Sequence, residues 1–420
     1  MARTRKLKTL FAIFVSVGMI VIVDWIIKNS NGIHIPRGTK PNSLTLSHKE
    51  HIGLDHGQYH IAQSEMTNPK EKCPDVLSRM TLGHWVKRPL TILEQEEIDT
   101  FISVVRRGQN FSRKDDRCGN TTIGGKREPR ALCLANGPKP CCFEGHCRKM
   151  TVSQCQCRNC YDIRQQVHAE FATWQPSDER CQPKLYSAKQ ACALLTNGTI
   201  LVVGDSFQRH LFSALLLILR GNDTQGPLSK KTPTEFLKKC SGMNAFGLKE
   251  CRKYIDIHPG HSLCNGSVHV NFASHAHFQS KLGMLRYVKM SANQRRHIIL
   301  GGIGIHDNAN SSLVTTYIQP ALDLLKNKTS KWPLLMWSNI HSPGLTKSPY
   351  FIFQGSENIL AFNKAMRKLF KKHNVPVLDT FNLTQGVTSF DGTHYGLGVN
   401  LMKAQILLNY IAEQEIRGRW

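Results

Sequence analysis

Residues 199–219 read TILVVGDSFQRHLFSALLLIL. Thr199 to Val203 is a short apolar run of strand length, ended by Gly204. Phe207 to Leu219 then has helical length, and Leu211, Phe212, Leu215, Leu216, Ile218 and Leu219 make a strongly apolar face. This run is too short to cross a bilayer, which takes ~20 apolar residues. Further strands are predicted at 268–272, 297–300, 334–337 and 375–378, and helices at 313–327, 358–373 and 397–414. Strands alternating with helices in this way predict an α/β domain, a mostly parallel sheet covered on both faces. In such sheets, sites lie at the carboxyl ends of the strands.

Gly204-Asp205-Ser206 stands at one such end. A serine there projects from a tight turn, and the helix that follows offers unpaired N–H groups and the positive end of its dipole. Those groups can stabilise the oxyanion of a tetrahedral intermediate. A serine opening a helix is equally an ordinary cap. The other end of the domain adds weight. Asp391-Gly392-Thr393-His394 precedes the last predicted helix, and an Asp and a His three apart can meet in one turn. An aspartate that orients an imidazole, with the imidazole taking a serine proton, is the logic of a Ser-His-Asp triad.

GDSFQRH at 204–210 and FDGTHY at 390–395 resemble the first and last blocks of SGNH (GDSL-type) hydrolases. Within that superfamily the chain is similar to the PC-esterase branch, which includes trichome-birefringence-like polysaccharide O-acetyltransferases and the lumenal domains of sialic acid O-acetyltransferases. The resemblance implies a three-layer α/β/α fold, Ser206 as nucleophile, His394 as general base and then acid, and Asp391 as its orienting partner. It also implies that the Ser206 N–H donates to the oxyanion. Family members commonly carry G-x-N-D in a middle block, with the Asn as a further donor. This chain instead has Gly302-Ile303-Gly304-Ile305-His306-Asp307-Asn308. Candidates for oxyanion or substrate contact are therefore Gly204, Asp205, Gly304, His306, Asn308 and Arg209, with His210 beside the last.

Working outward, residues 10–27 are almost wholly apolar, and Arg3, Arg5, Lys6 and Lys8 stand before them. That pattern predicts a membrane anchor with a cytoplasmic tail at 1–9 and the rest of the chain in the lumen. No small-residue cleavage site follows Ile27, so a retained anchor is favoured over a signal peptide. Eight Asn-x-Ser/Thr sequons agree with lumenal placement, at Asn110, Asn120, Asn197, Asn222, Asn265, Asn310, Asn327 and Asn382. All 14 cysteines also follow the anchor. In an oxidising compartment they are expected to form disulfides and not a zinc site. The segment 28–72 reads as a polar stem, and its scattered histidines as solvated. Residues 73–192, with 11 of the cysteines, read as a cysteine-rich module, and 193–420 as the catalytic domain.

The net charge of +25 favours an acidic partner. In the lumen that means an acidic glycan and not nucleic acid. The function expected is acyl transfer, acetyl above all, to a glycan hydroxyl through an acyl-serine, in the Golgi. No bound cofactor is expected. The donor is acetyl-CoA or another acetyl carrier, present in the lumen or supplied by a partner protein. The alternatives are a carbohydrate O-acetylesterase, which shares the first half-reaction, and a non-catalytic glycan-binding protein on a decayed esterase fold. A metal-dependent glycosyltransferase or a P-loop enzyme is disfavoured, since neither D-x-D nor G-x-x-x-x-G-K-[ST] occurs.

Overall fold

The computed structural model describes residues 73–420 apart from 107, 109 and 327–329. The expected tail, anchor and stem, and the Asn327 sequon, lie outside the described residues. Among the described residues no helix is long and apolar enough to cross a membrane.

The chain enters through strand β1 (Gly83–Lys87), helix α1 (Ile92–Arg106), the short strands β2 (Cys141–Phe143) and β3 (His146–Arg148), and β4 (Ala172–Pro176). Helix α2 (Ala188–Leu195) then leads into β5 (Gly198–Gly204) and α3 (Ser206–Arg220). After a disulfide-pinned excursion come β6 (Val268–Ser274), α4 (Lys281–Met290), β7 (His297–Gly302), α5 (Ser311–Lys326) and β8 (Leu334–Ser338). The chain ends with α6 (Ser356–Lys372), β9 (Val377–Leu378) and α7 (Leu397–Ile416).

Strands β5 to β9 form one parallel sheet in the order β6-β5-β7-β8-β9. Its inner strands β5, β7 and β8 are largely buried on both faces and read as apolar runs, whereas the edge strand β6 alternates buried Val268, Val270 and Phe272 with half-buried His269 and Asn271. Alternate residues of β7 show the division. Ile298 and Leu300 join a core with α3 and α7, whereas Ile299 faces a second core with α4, α5 and α6. The result is three layers, helices on sheet on helices. Helix α3 explains its own sequence. Leu211, Phe212, Leu215 and Leu216 are at most 1% exposed, and truncating one of these leucines to alanine would cost roughly 2–5 kcal/mol.

The elements predicted from residue 199 onward are present with shifted ends and two differences there, while no element was predicted for the stretch that forms β1–β4, α1 and α2. The strand expected at 375–378 shrinks to Val377–Leu378. The Val375 N–H closes the end of α6 by donating to the Phe370 carbonyl, and Pro376 has no N–H to give the sheet. Helix α4 was not anticipated, because only Met284 and Val288 of its ten residues are buried.

The cysteine-rich region is bridged throughout. The pairs are Cys73–Cys181, Cys118–Cys142, Cys133–Cys147, Cys141–Cys155 and Cys157–Cys160, and no cysteine is free. Cys192–Cys264 ties α2 to the segment entering β6, and Cys240–Cys251 closes the excursion after α3. The described residues belong to a single compact unit. β1 and β4 pair antiparallel, with Trp85 and Trp174 in register. Those tryptophans join the same core as α3 and α7, and the Trp85 Nε1–H donates to the Leu383 carbonyl at 2.8 Å.

Candidate active site

The β5 end is fixed by backbone contact. Gly204 lies in register with Gly302 of β7, and a Cβ on Gly204 would sit 2.1 Å from the Gly302 carbonyl oxygen. No side chain fits there, so the strand ends pack directly and the chain turns into α3 at once. Asp205 is the N-cap, its carboxylate accepting from the Phe207 N–H at 2.9 Å. The Arg209 N–H bonds the Asp205 carbonyl. That leaves the N–H of Ser206, the first residue of the helix, with no intrahelical acceptor.

The structure brings the three residues of the sequence-predicted triad together. Ser206 Oγ lies 2.7 Å from His394 Nε2, and His394 Nδ1 lies 2.6 Å from Asp391 Oδ2. Asp391 shapes its own loop as well. Its Oδ1 accepts from the N–H groups of Thr393 at 2.9 Å and His394 at 2.7 Å. With a carboxylate on Nδ1, that nitrogen carries the proton, and Nε2 offers its lone pair to the serine hydroxyl. Burial alone would raise the Asp391 carboxyl. The His394 imidazole and the two backbone N–H groups outweigh it and hold the carboxyl below its ordinary range. Its outer edge still meets solvent, at 41% exposed.

Around the triad the charge is mainly positive. Arg209, half-buried on the first turns of α3, is pushed down to about 10 by burial and by the like charge of Arg252. Arg252 Nε is itself buried with no hydrogen-bond partner among the described residues. His210 is buried and held well below its ordinary value by burial and the nearby His394, and its ring centroid lies 5.2 Å from that of His394. Lys347 Nζ donates to Thr393 Oγ1 at 2.8 Å and to Gln354. Burial lowers Lys347 to about 8, against the pull of Asp391. Asp205 is raised to about 7 by burial, despite the Phe207 N–H and Arg209.

The other candidates divide. Gly304 is buried at a positive φ of 135°, where a Cβ would meet Phe362 at 2.8 Å. His306 is lowered by burial first, then by the neighbouring His277 and His394. Asn308 lies on an exposed turn at φ 54°. Between them Asp307 turns inward, accepting from the Phe278 N–H at 3.0 Å with His277 Nδ1 at 3.2 Å. Among the sequons, Asn110, Asn120, Asn197, Asn222, Asn265 and Asn310 are exposed. Asn382 is half-buried, its Oδ1 accepting from the Gly83 N–H at 2.8 Å. Lys347, His341 and Lys403 are neighbours of the triad that the sequence did not single out.

The sequence matches no protein-family model, and no curated protein matches it. Among solved structures, a lipolytic G-D-S-L family protein from Veillonella parvula is similar, at 13% identity and a TM-score of 0.29, over 50% of this chain and 96% of its own. Est24, a carbohydrate acetylesterase from Sinorhizobium meliloti, is 10% identical at a TM-score of 0.32, over 51% and 99%. Axe2, an acetylxylan esterase from Geobacillus stearothermophilus, is 11% identical at 0.29, over 52% and 95%. The chemistry of this site is carried by its own side-chain geometry.

Proposed function

We propose that this protein is an SGNH-type serine acyltransferase of the PC-esterase kind, which moves an acyl group, acetyl in the first instance, to a hydroxyl of an acidic glycan. The observation that carries it is the hydrogen-bonded chain Ser206–His394–Asp391 at a strand end. In the first half-reaction Ser206 Oγ attacks the acyl carbonyl of the donor, an ester or a thioester, as its proton passes to His394 Nε2. Asp391 stabilises the imidazolium that forms. The oxyanion is met by the Ser206 N–H at the start of α3, with the loop at Gly304, His306 and Asn308 beside it. His394 then protonates the leaving group. In the second half, a sugar hydroxyl gives its proton to His394 as it attacks the acyl-serine carbonyl, and His394 returns that proton to Ser206 Oγ as the C–Oγ bond breaks. Water in place of the sugar makes the same site an esterase.

Two features favour a glycan acceptor with negative charge. Arg209, Arg252 and Lys347 give the site an excess of cationic groups suited to a carboxylate-bearing sugar. Next to Lys347, Tyr350, Phe351 and Phe353 are 52%, 37% and 60% exposed, a platform on which a sugar face can lie. Seven disulfides favour the lumen of the secretory pathway. A type II anchor at 10–27 and the Golgi complete the reading. The donor is acetyl-CoA or another acetyl carrier, delivered in the lumen by a partner protein.

The test is covalent labelling of the full-length, disulfide-intact protein with a fluorophosphonate serine probe. Labelling is expected in the wild type and absent in Ser206→Ala and His394→Ala. A folded wild type that does not label would remove the acyl-serine and with it the proposal.

A further inference from the structure

The nucleophile and its base come from opposite ends of the sequence, 188 residues apart, so their meeting depends on what holds the two ends in place. Two ionisable side chains that the reaction does not use lie buried beside the triad. His341 follows the end of β8 and Lys403 sits in the second turn of α7, each 4% exposed. Lys403 Nζ is 3.0 Å from His341 Nδ1, and His341 Nε2 is 2.8 Å from the carbonyl oxygen of Thr393. A carbonyl only accepts, so Nε2 carries the proton and Nδ1 presents its lone pair to the lysine. Burial, followed by the lysine itself, keeps His341 well below its ordinary value and therefore neutral. Lys403 is lowered to about 7 by burial, and Asp205 attracts it through space without a hydrogen bond.

His341 touches both halves of the site. Its ring lies against Phe207, the residue after the nucleophile, with centroids 3.7 Å apart. Phe207 in turn meets the His394 ring edge-on at 5.7 Å. The carbonyl His341 holds belongs to Thr393, the residue before the base. The same threonine is fixed at its N–H by Asp391 and at its Oγ1 by Lys347. The other end of that peptide is held by the His394 N–H on Asp391 Oδ1 at 2.7 Å, so releasing the carbonyl leaves this one bond as a pivot about which the peptide can tilt and carry His394 with it.

We infer that Lys403 and His341 are positioning residues: the lysine selects the tautomer in which His341 donates to the Thr393 carbonyl, and this holds the His394 imidazole at bonding distance from Ser206. A buried amine with no carboxylate bonded to it is costly to keep in a fold, and this one has a single directional task. The activity consequence rests on the acyl-serine proposal above. The geometric consequence does not.

Glutamine at 341 places an amide N–H where Nε2 stands, whereas asparagine reaches only the place of Nδ1. The experiment compares Lys403→Met, His341→Gln and His341→Asn in the full-length, disulfide-intact protein. Two quantities are read: the maximal rate of fluorophosphonate labelling with the probe concentration that gives half of it, and the low-field proton resonance of the His394–Asp391 hydrogen bond. Lys403→Met and His341→Asn should lose roughly 10- to 100-fold in maximal rate, as expected for a base displaced by a fraction of an ångström to ~1 Å. The half-saturating concentration should hold, and the resonance should broaden or shift. His341→Gln should retain both rate and resonance. Equal behaviour of the glutamine and asparagine variants, or an unmoved rate and resonance in Lys403→Met, would overturn the inference. Should the wild type fail to label while its resonance still responds to Lys403→Met, the acyl-serine proposal falls and the positioning role stands.

Discussion

Replacing Gly204 by alanine tests whether contact between two strand ends sets the place of the nucleophile. The new Cβ would lie 2.1 Å from the Gly302 carbonyl oxygen and 2.5 Å from Cγ of Gln208. Real Cβ atoms essentially never come within 3.0 Å of such neighbours, and the Gly302 obstacle is backbone. The ends of β5 and β7 must therefore part by about 1 Å. Ser206 is two residues further on, and its bond to His394 is only 2.7 Å long. A shift of that size takes the pair past hydrogen-bond range. Misplacement by ~1 Å costs a reaction ~100-fold, or ~2.7 kcal/mol of barrier. The assay is the rate of fluorophosphonate labelling per folded molecule, with near-ultraviolet circular dichroism as the measure of folding. Gly125→Ala is the control, since nothing lies within 4 Å of a Cβ there, and it should label at the wild-type rate. A folded Gly204→Ala protein that labels as fast as wild type would refute the reasoning.

Asp391→Asn should lower the labelling rate by ~10³–10⁴-fold, because the amide no longer demands a proton on His394 Nδ1. A loss under tenfold would mean that Asp391 only shapes its loop. Removing Cys192–Cys264 by paired serines opens a separation of 72 residues and should cost about 4 kcal/mol in urea unfolding, against about 2 kcal/mol for the three-residue Cys157–Cys160. Equal losses would show that the bridges do not act by chain closure. Lys403 supplies a pH test of stability. Its folded value of about 7 lies below the ordinary 10.5, so between the two the unfolded chain holds a proton that the folded chain has released. The burial penalty is fully present below the lower value and fades towards the upper. Lys403→Met should thus gain on wild type at about pH 6, the gap narrowing by ~1.4 kcal/mol per pH unit towards pH 10.5 in denaturant titrations. A gap that does not change with pH would sink this prediction.

The sequence carried most of the sheet because β5, β7 and β8 lie inside it and leave apolar runs, while the edge strand β6 alternates Val268, Val270 and Phe272 with half-buried His269 and Asn271. The triad was legible for a different reason. Ser206 and the Asp391-His394 turn lie where strand and helix signals end, and sites collect at such ends. Lys403 was not legible. A lysine in the apolar run of α7 reads as a side chain snorkelling to solvent, and only the fold brings α7 to the loop after β8, where Lys403 is buried beside His341. Lys347 was hidden in the same way, in a loop with no period. Cysteine pairing was beyond reach, because spacing allows many connectivities. Helix α4 escaped because its exposed Leu282 and Met290 spoil the amphipathic pattern.

The disulfide-bridged N-terminal part is joined to the catalytic turn through specific bonds. Glu170 Oε1 accepts from the Gly398 N–H at 3.3 Å, at the start of α7 and four residues past His394. Gly396 leaves it room, since a Cβ there would lie 2.2 Å from that oxygen. The Arg130 N–H donates to the Thr346 carbonyl at 3.0 Å, and Ser348 Oγ donates to the Lys126 carbonyl at 2.8 Å. These last two bonds flank Lys347, whose amine holds Thr393. Lys347 also packs on Gly392, where a Cβ would meet its backbone nitrogen at 2.3 Å. The bridges Cys118–Cys142 and Cys133–Cys147 fix the segment that carries Lys126 and Arg130. Strain or rigidity in that segment therefore passes, bond by bond, to the turn that presents the base. A fragment of residues 193–420 keeps Ser206, His394 and Asp391 but loses Glu170, Lys126, Arg130, the tryptophan pair from its core and Cys192, the partner of Cys264. It should label with a fluorophosphonate at least ~100-fold more slowly than the full chain, beyond any loss of folded fraction. A soluble, folded 193–420 fragment that labels at the full-length rate would show that the cysteine-rich part is a passenger on the site and not its brace.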